Sequence, residues 1–394
     1  MNMKLQAQSS RALTVALQKS AKCIASRPTI AVLENVLLTR NDAGQFFLTS
    51  STSDSQLTIP VPLTLCGGKF EVPVVLPIKT LKSLLSTLPD CAVTIDFADN
   101  KVLTVDYCTG TDDKVKAGKA KLVYFSGEEF PSFAPIDEKP THIQLPLSYF
   151  HNIVNQADNF VEDNEIRPTM SSLCVDIAED RSEVVFAATD GHVLTKIVYS
   201  NDPHKGGSEF FKSGTPCKIL LHRRYFRALS ALDKGDVVDI ESDSHRIRLT
   251  AGDTVLCCSQ VEGRYPNYNA VIPRNNPYFV TFNKKEMLDI LRRVSVFSSN
   301  ASRMVELTKR GMFMEVKAQD EDFGLCATDQ VFLASSECDD DFYIAFSIPQ
   351  LQSCISALPT EVVRMQLLSK DRAAVLTPDE PAPSILTLNM PMLM

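Results

Sequence analysis

The chain of 394 residues lacks the features that mark membrane, secreted and metal-binding proteins. No apolar segment approaches the roughly 20 residues that a membrane-spanning helix needs, and residues 1–7 have no apolar core of the signal-peptide kind. The 11 cysteines include no C-x-x-C pair, so we expect them to be buried small hydrophobic residues in a reducing compartment. These absences predict a cytoplasmic protein with no cofactor, no metal ion and no membrane partner.

Motifs of enzymes are missing as well. Asp190 and His192 have the spacing of an acid/base pair, but no G-x-S-x-G nucleophile motif accompanies them. The triplet at 322–324 spells the kinase D-F-G motif without the H-R-D loop that kinases require. The sequence therefore predicts a protein that is not an enzyme, and we expect Asp190 to fix a turn.

Length and composition point to a folded protein with several domains. Hydrophobic residues make up 44% of the chain and charged residues 22%, as in ordinary globular proteins. Single hydrophobic cores rarely grow beyond about 250–300 residues, so this length suits about three domains. Before the Asp190 turn, apolar residues alternate over 170–177, a turn-rich stretch follows, and a second apolar run covers 184–188. This pattern predicts an antiparallel hairpin.

The chain also repeats itself about every third of its length. Three markers recur in the same order, with intervals of 136 to 140 residues for the first two. They are an arginine between a helix and a strand (Arg27, Arg167, Arg303), an aspartate in a turn (Asp54, Asp190, Asp329) and a leucine ending a short helix (Leu88, Leu232, Leu358). The repeats predict an α+β fold of three tandem domains at 1–137, 138–273 and 274–394, each with two helices packed on antiparallel sheets.

Positive charge is concentrated in the predicted helices. Helical periodicity places them at 10–24, 77–88, 147–160, 222–234, 283–297 and 348–358. They carry 13 basic and four acidic residues, a net charge of +9, whereas the whole chain carries −8. If the helices share one surface, that surface attracts phosphates while the rest of the chain repels them. Because helix-turn-helix and zinc-finger patterns are missing, the sequence predicts contact with phosphates rather than readout of bases.

Several short motifs occur in a characteristic order along the whole chain. They are Arg27-Pro28, Arg167-Pro168, A-T-D-G-H at 188–192, E-G-R-Y-P-N-Y at 262–268, V-I-P at 271–273 and M-P-M at 390–392. In this order and spacing the chain resembles the bacterial DNA polymerase sliding clamps, the beta subunits of the replicative polymerase.

The resemblance implies a ring of two chains joined head to tail, with the helices lining a central hole and the sheets forming the outer wall. Such a ring would encircle duplex DNA without sequence specificity and tether the polymerase for processive synthesis. The implied partners are double-stranded DNA, a second copy of the chain, the alpha subunit of the replicative polymerase, the clamp loader and other proteins that carry a clamp-binding motif.

The resemblance also assigns residues to three surfaces. Residues expected to contact DNA are Arg27, Arg167, Arg303, Lys19, Lys22, Lys79, Lys82, Arg223, Arg224, Arg227, Lys284 and Arg292, of which Arg303 follows from the internal repeat. Residues expected to form a groove for partner peptides are Met170, Thr189, Gly191, His192, Leu194, Pro266, Val271, Ile348, Leu388, Met390, Pro391 and Met392. Val296 and Phe297 are expected at the dimer interface.

The groove departs from the family pattern where arginines are common. Val193, Ala270 and Leu393 occupy those positions here, which predicts a less basic rim. One alternative remains open, a non-catalytic repeat scaffold that binds only proteins. That alternative accounts for the groove but leaves the concentration of positive charge in the helices unexplained.

Overall fold

The computed structural model describes residues 3–25, 27–28, 30–98, 100–109, 116–137, 139–162, 166–200, 209–380 and 384–393. Short helices accompany extensive antiparallel sheets, so the α+β prediction is confirmed. Within these residues, no helix combines the length and the apolar character needed to cross a membrane.

A similar order of elements occurs three times, with one strand fewer before the second helix of the third repeat. The first repeat contains β1 (Met3–Ala7), α1 (Ser10–Ser20), β2 (Val36–Arg40), β3 (Phe46–Ser51), β4 (Ser55–Val61), β5 (Thr64–Gly68), β6 (Val74–Leu76), α2 (Ile78–Ser86), β7 (Val93–Phe97), β8 (Val102–Thr109), β9 (Lys116–Val123) and the short β10 (Phe125–Ser126). The second contains β11 (Thr141–Pro146), α3 (Leu147–Ala157), β12 (Ser172–Ile177), β13 (Glu183–Thr189), β14 (Val193–Ser200), β15 (Phe211–Ser213), β16 (Lys218–His222), α4 (Phe226–Leu229), β17 (Val237–Ser242), β18 (Arg246–Ala251), β19 (Thr254–Ser259) and the short α5 (Tyr268–Val271). The third contains β20 (Tyr278–Asn283), α6 (Lys284–Ser295), β21 (Met304–Arg310), β22 (Phe313–Asp320), β23 (Leu325–Glu337), β24 (Tyr343–Ser347), α7 (Ile348–Ser356), β25 (Val362–Leu367), β26 (Ala374–Pro378) and β27 (Ile385–Asn389).

Strand pairing repeats as well. The strand that opens each repeat lies between two later strands: β1 between β5 and β7, β11 between β15 and β17, and β20 between β23 and β25. The hairpin predicted in the second repeat is present, with Cys174 opposite Ala187 on β12 and β13. The repeat seen in the sequence therefore corresponds to a repeated fold.

The chain forms two compact units, and each contains a sheet that runs from one repeat into the next. The first unit comprises Met1–His151, Phe210–Thr215 and Arg224–Gln260, and its ten-stranded sheet joins β4 to β19. The second unit comprises Asn152–Glu209, Pro216–Arg223 and Val261–Met394, and its twelve-stranded sheet joins β14 to β27. In both units, the fourth strand of one repeat thus pairs with the last strand of the following repeat.

The predicted apolar stripes explain where the longest helices pack. In α1 the side chain of Ser9 accepts a hydrogen bond from the N–H of Ala12 and caps the helix, whose buried face includes Leu13 and Leu17. In α6, Asn283 is the cap and the buried face is the predicted one, Met287, Ile290, Leu291 and Val294. Both helices end earlier than predicted, and α1 continues as a 3-10 turn over Ala21–Cys23.

The helix predicted at 222–234 is wrong in length. His222 is the last residue of β16, and α4 covers only Phe226–Leu229 after a 3-10 turn. The N–H of Arg223 donates to the carbonyl of Ser171, which ties the start of this segment to the neighbouring strand. At the other end Gly235 adopts a positive φ of 100°, a conformation that does not continue a helix.

Candidate functional site

The Asp190 turn has a structural role, as predicted. One oxygen of the Asp190 carboxylate accepts hydrogen bonds from the N–H groups of His192 and Val193, both at 2.8 Å. The hydroxyl of Thr189 donates to the carbonyl of Val193 at 2.6 Å and accepts from the N–H of Gly191. These bonds occupy the carboxylate with backbone donors and leave the His192 side chain exposed at the end of β13.

Gly191 needs to be glycine for two reasons. Its φ of 95° lies in the left-handed region, which side chains with a Cβ rarely adopt. A Cβ built on it would also lie 3.3 Å from the terminal methyl group of Met170. The turn and the end of the Met170 side chain, both predicted to belong to the groove, therefore lie close together.

The predicted groove residues Leu194 and Leu388 pack side by side. They lie opposite each other on β14 and β27, where the second repeat meets the third. Both are buried in one hydrophobic cluster that also contains Tyr265 and Tyr268, the two aromatic residues of the segment that carries Pro266. This cluster forms an apolar base for the residues that surround it.

Backbone hydrogen bonds hold the residues that follow β27 to neighbouring segments. The N–H of Met390 donates to the carbonyl of His192, and the N–H of Met392 donates to the carbonyl of Ala345 on β24, both at 2.8 Å. Exposed apolar surface remains at Met390 (39%) and at Val271 (58%). Ile348 is instead almost fully buried at the start of α7, where its N–H donates to the carbonyl of Arg303.

Many of the residues predicted to contact DNA already bind acidic or carbonyl groups of the chain. The ion pairs are Lys19 with Asp233, Arg167 with Glu162, Arg223 with Asp158, Arg224 with Asp54 and Arg292 with Asp289. The ammonium groups of Lys22 and Lys284 donate to Ser230 and to the carbonyl of Ser356, and burial lowers the pKa of both lysines. Arg27, Lys79, Arg227 and Arg303 are exposed, and Lys82 is half-buried.

The three repeated aspartates have different partners. Asp54 accepts from the hydroxyl of Tyr225 at 2.9 Å and pairs with Arg224 at 2.7 Å. Asp329 accepts two hydrogen bonds from the guanidinium of Arg293. Of these three aspartates, Asp190 beside the groove is the one whose carboxylate binds backbone N–H groups and no side chain within the described residues.

The described part of the structure contains two unpaired strand edges that the sequence pattern did not predict. Within the described residues, β9 pairs only with β8 and is the last strand of its sheet. In the part of the chain that the structure describes, the first part of β23, residues 325–332, pairs only with β22. Each edge has exposed apolar residues, Val123 on β9 and Leu325 and Phe332 on β23. Such edges can accept another strand.

The two edges differ in charge. Lys116, Lys119 and Lys121 project from β9, whereas three consecutive acidic residues, 320–322, precede β23. Val296 and Phe297, the residues predicted for the dimer interface, are exposed by 74% and 38% just after α6, in the same unit as β23.

Solved structures with the same fold are sliding clamps. One is a DnaN sliding clamp (DNA polymerase III subunit beta) from Pseudomonas aeruginosa bound to griselimycin, with a TM-score of 0.86, 20% identity and full coverage of both chains. Another is the DNA polymerase sliding clamp from Bacillus subtilis, with a TM-score of 0.85, 19% identity and the same coverage. The chain therefore has the fold of these DNA polymerase sliding clamps.

Sequence comparisons identify the family to which the chain belongs. Residues 3–133 match the model of the DNA polymerase III beta subunit, N-terminal domain, and residues 269–393 match that of the C-terminal domain. The beta sliding clamp of Synechocystis is 26% identical over 385 residues, 93% of each chain. That of Bacillus subtilis is 24% identical over 382 residues, 93% of this chain and 94% of the other. This chain belongs to the beta sliding clamp family, the beta subunits of DNA polymerase III.

Proposed function

We propose that two copies of this chain join head to tail into a ring that encircles duplex DNA and tethers the replicative polymerase. In this function the protein catalyses no reaction and acts in the cytoplasm together with the replication machinery. Each copy contributes three domains, 1–137, 138–273 and 274–394, so that the ring has six.

The observation that carries the proposal is the pattern of strand pairing between repeats. The first repeat joins the second through β4 and β19, and the second joins the third through β14 and β27. By the same rule the third repeat offers the first part of β23. Its partner would be β9 of a first repeat, which ends the sheet β5-β1-β7-β8-β9 just as β19 and β27 follow β17-β18 and β25-β26. Pairing β23 of one copy with β9 of another satisfies both edges, and a second such pairing closes the ring.

Charge and exposed apolar surface favour this pairing. The lysines of β9 would meet a partner region with acidic residues at 320–322, and the exposed Val296 and Phe297 would be covered. Opposite charges on the two edges would increase the rate of encounter, and like charges would oppose the pairing of an edge with a second copy of itself.

The helices supply a basic lining for DNA. In the observed helices and their 3-10 extensions, Lys and Arg occupy 12 positions and acidic residues two, both of them in α6. We expect the exposed Arg27, Arg227 and Arg303 to contribute most to phosphate contact, because ion pairs within the chain already hold several of the others. Arg167 can exchange Glu162 for a phosphate, since its side chain is 54% exposed.

The groove would recruit the polymerase alpha subunit, the clamp loader and other proteins by a short linear segment. Leu194 and Leu388 provide its apolar base, and Met170, Val271 and Met390 provide flexible or exposed apolar walls. A scaffold that binds only proteins would have the groove but no use for the basic helices.

Primer extension tests the tether. With the cognate polymerase and loader on a primed circular template, adding this protein should lengthen the products of a single binding event at least about tenfold, because dissociation no longer ends synthesis. Product lengths that do not change would contradict the proposed function.

A further inference from the structure

One wall of the groove consists of a single helical turn. Val271 closes α5, a four-residue turn, and its side chain is 58% exposed. Within that segment the N–H of Tyr268 bonds to the carbonyl of Pro266, and the N–H of Ala270 bonds to the carbonyl of Asn267. A turn this short has little stability of its own, so its position depends on what its side chains bind.

Two tyrosines attach this segment to the sheet beneath it. The hydroxyl of Tyr265 donates to the carbonyl of Ala187 on β13 at 3.2 Å. The hydroxyl of Tyr268 donates to the carboxylate of Asp176 on β12 at 2.7 Å. The two rings meet edge to face with centroids 6.4 Å apart, and both side chains are buried. The Tyr268 bond is the stronger of the two because its acceptor is charged.

Two lysines complete the arrangement around Tyr268. Lys218 lies directly opposite Asp176 on β16, and its ammonium group is 2.7 Å from the same carboxylate oxygen. That ammonium lies 5.5 Å from the centre of the Tyr268 ring, and the ammonium of Lys196 lies 5.8 Å from it. Lys196 also donates to the side chain of Asn269 in α5 at 3.1 Å. Cations at these distances are attracted to an aromatic ring.

We propose that Asp176, Tyr268 and Lys218 form an anchor that positions Val271, and that this anchor determines how tightly the groove binds a peptide. These are positioning residues, since they act through Val271. The inference rests on the proposed function of the groove. The buried location of Tyr268 is consistent with it, because burial and the bond to Asp176 raise the pKa of the hydroxyl and keep it protonated as a donor.

The test is the affinity for a fluorescently labelled peptide derived from the replicative polymerase. Tyr268→Phe removes only the hydroxyl and should weaken binding roughly tenfold, the size expected for losing a hydrogen bond to a charged group. Lys218→Met should weaken binding by a smaller factor, and Lys218→Arg should restore it, since Arg retains the charge and the contact with the ring. Lys218 is half exposed, so these two variants should fold even if Tyr268→Phe does not.

A matched control lies in the same unit. The hydroxyl of Tyr278 donates to the carboxylate of Asp339 at 2.9 Å, the same kind of bond at a site outside the groove. Tyr278→Phe should bind the peptide as the unaltered protein does. Dimerisation and retention on circular DNA should be unchanged in all four variants.

A double-variant cycle separates positioning from a general loss of stability. If the anchor acts through Val271, Tyr268→Phe should weaken binding little further once Val271→Ala is present. Additive losses, equal losses in Tyr268→Phe and Tyr278→Phe, or full affinity in Tyr268→Phe and Lys218→Met would each overturn the anchor. Failure of the unaltered protein to bind the peptide would overturn the groove itself and the anchor with it.

Discussion

A variant that ends at Asn389 should lose binding of a polymerase-derived peptide by at least about 100-fold while remaining a dimer. The removed residues include Met390 and Met392, whose N–H groups attach this segment to His192 and Ala345. The few residues that dominate binding in an interface typically contribute about 2 kcal/mol or more each. Two such residues account for a loss of this size. The strand β27, including the buried Leu388, stays in place, so the fold should survive.

Titration of the labelled peptide, with sedimentation to verify the dimer, measures this effect. Leu393→Ala is the matched control, since Leu393 belongs to the same segment but is 83% exposed. That variant should bind normally. Peptide affinity that survives the truncation would place the groove elsewhere, and loss of the dimer would mean that the segment has a wider structural role.

Placing carboxylates at the predicted interface should separate the two copies. In the double variant Val296→Asp and Phe297→Asp, pairing of β9 with β23 would bury charges without partners. Such burial costs about 3–5 kcal/mol at each interface. The dissociation constant of the dimer should therefore be at least about 1,000-fold higher than that of the unaltered protein. Because a head-to-tail dimer has two equal interfaces, the effect applies twice.

Sedimentation at micromolar concentration distinguishes monomer from dimer in this variant. Leu368→Asp is the control, because Leu368 is in the same unit and is 40% exposed, close to the 38% of Phe297. It should remain dimeric and should keep its hold on circular DNA. A stable dimer of the double variant would refute the assignment of Val296 and Phe297 to the interface.

Periodic patterns in the sequence predicted those helices and strands whose buried residues recur at regular intervals along the chain. The stripe of α6 is confirmed, since a buried helix face imposes its period on the residues that form it, and the hairpin of β12 and β13 is present. The recurrence of the three markers likewise predicted that the elements between them recur. The turn at Asp190 was also predictable, because Asp followed by Gly favours such a turn.

Contacts between residues far apart in the sequence could not be predicted. The pairing of Asp54 with Arg224, which is also predicted to contact DNA, depends on where β4 meets the second repeat. The helix at 222–234 was predicted too long because its apolar pattern continues into buried residues, Ala231 and Leu232, that are no longer helical.

The edge strand β9 gave no usable signal. Its sequence, K-A-G-K-A-K-L-V, has neither regular alternation nor a long apolar run, because much of the strand is exposed in a single copy. If its partner is another copy of the chain, the constraint on its residues is intermolecular. The groove was predictable only from the family resemblance, since Leu194 and Leu388 by themselves have the pattern of ordinary core residues.

Retention on closed and open DNA tests encirclement most directly. The protein is loaded onto a nicked circular plasmid by its loader, washed at high salt to remove electrostatic binding, and then followed while a restriction enzyme linearises half of the sample. A ring should stay on the circle and leave the linear DNA through its ends. Equal retention, or equal loss, on the two forms would contradict the account.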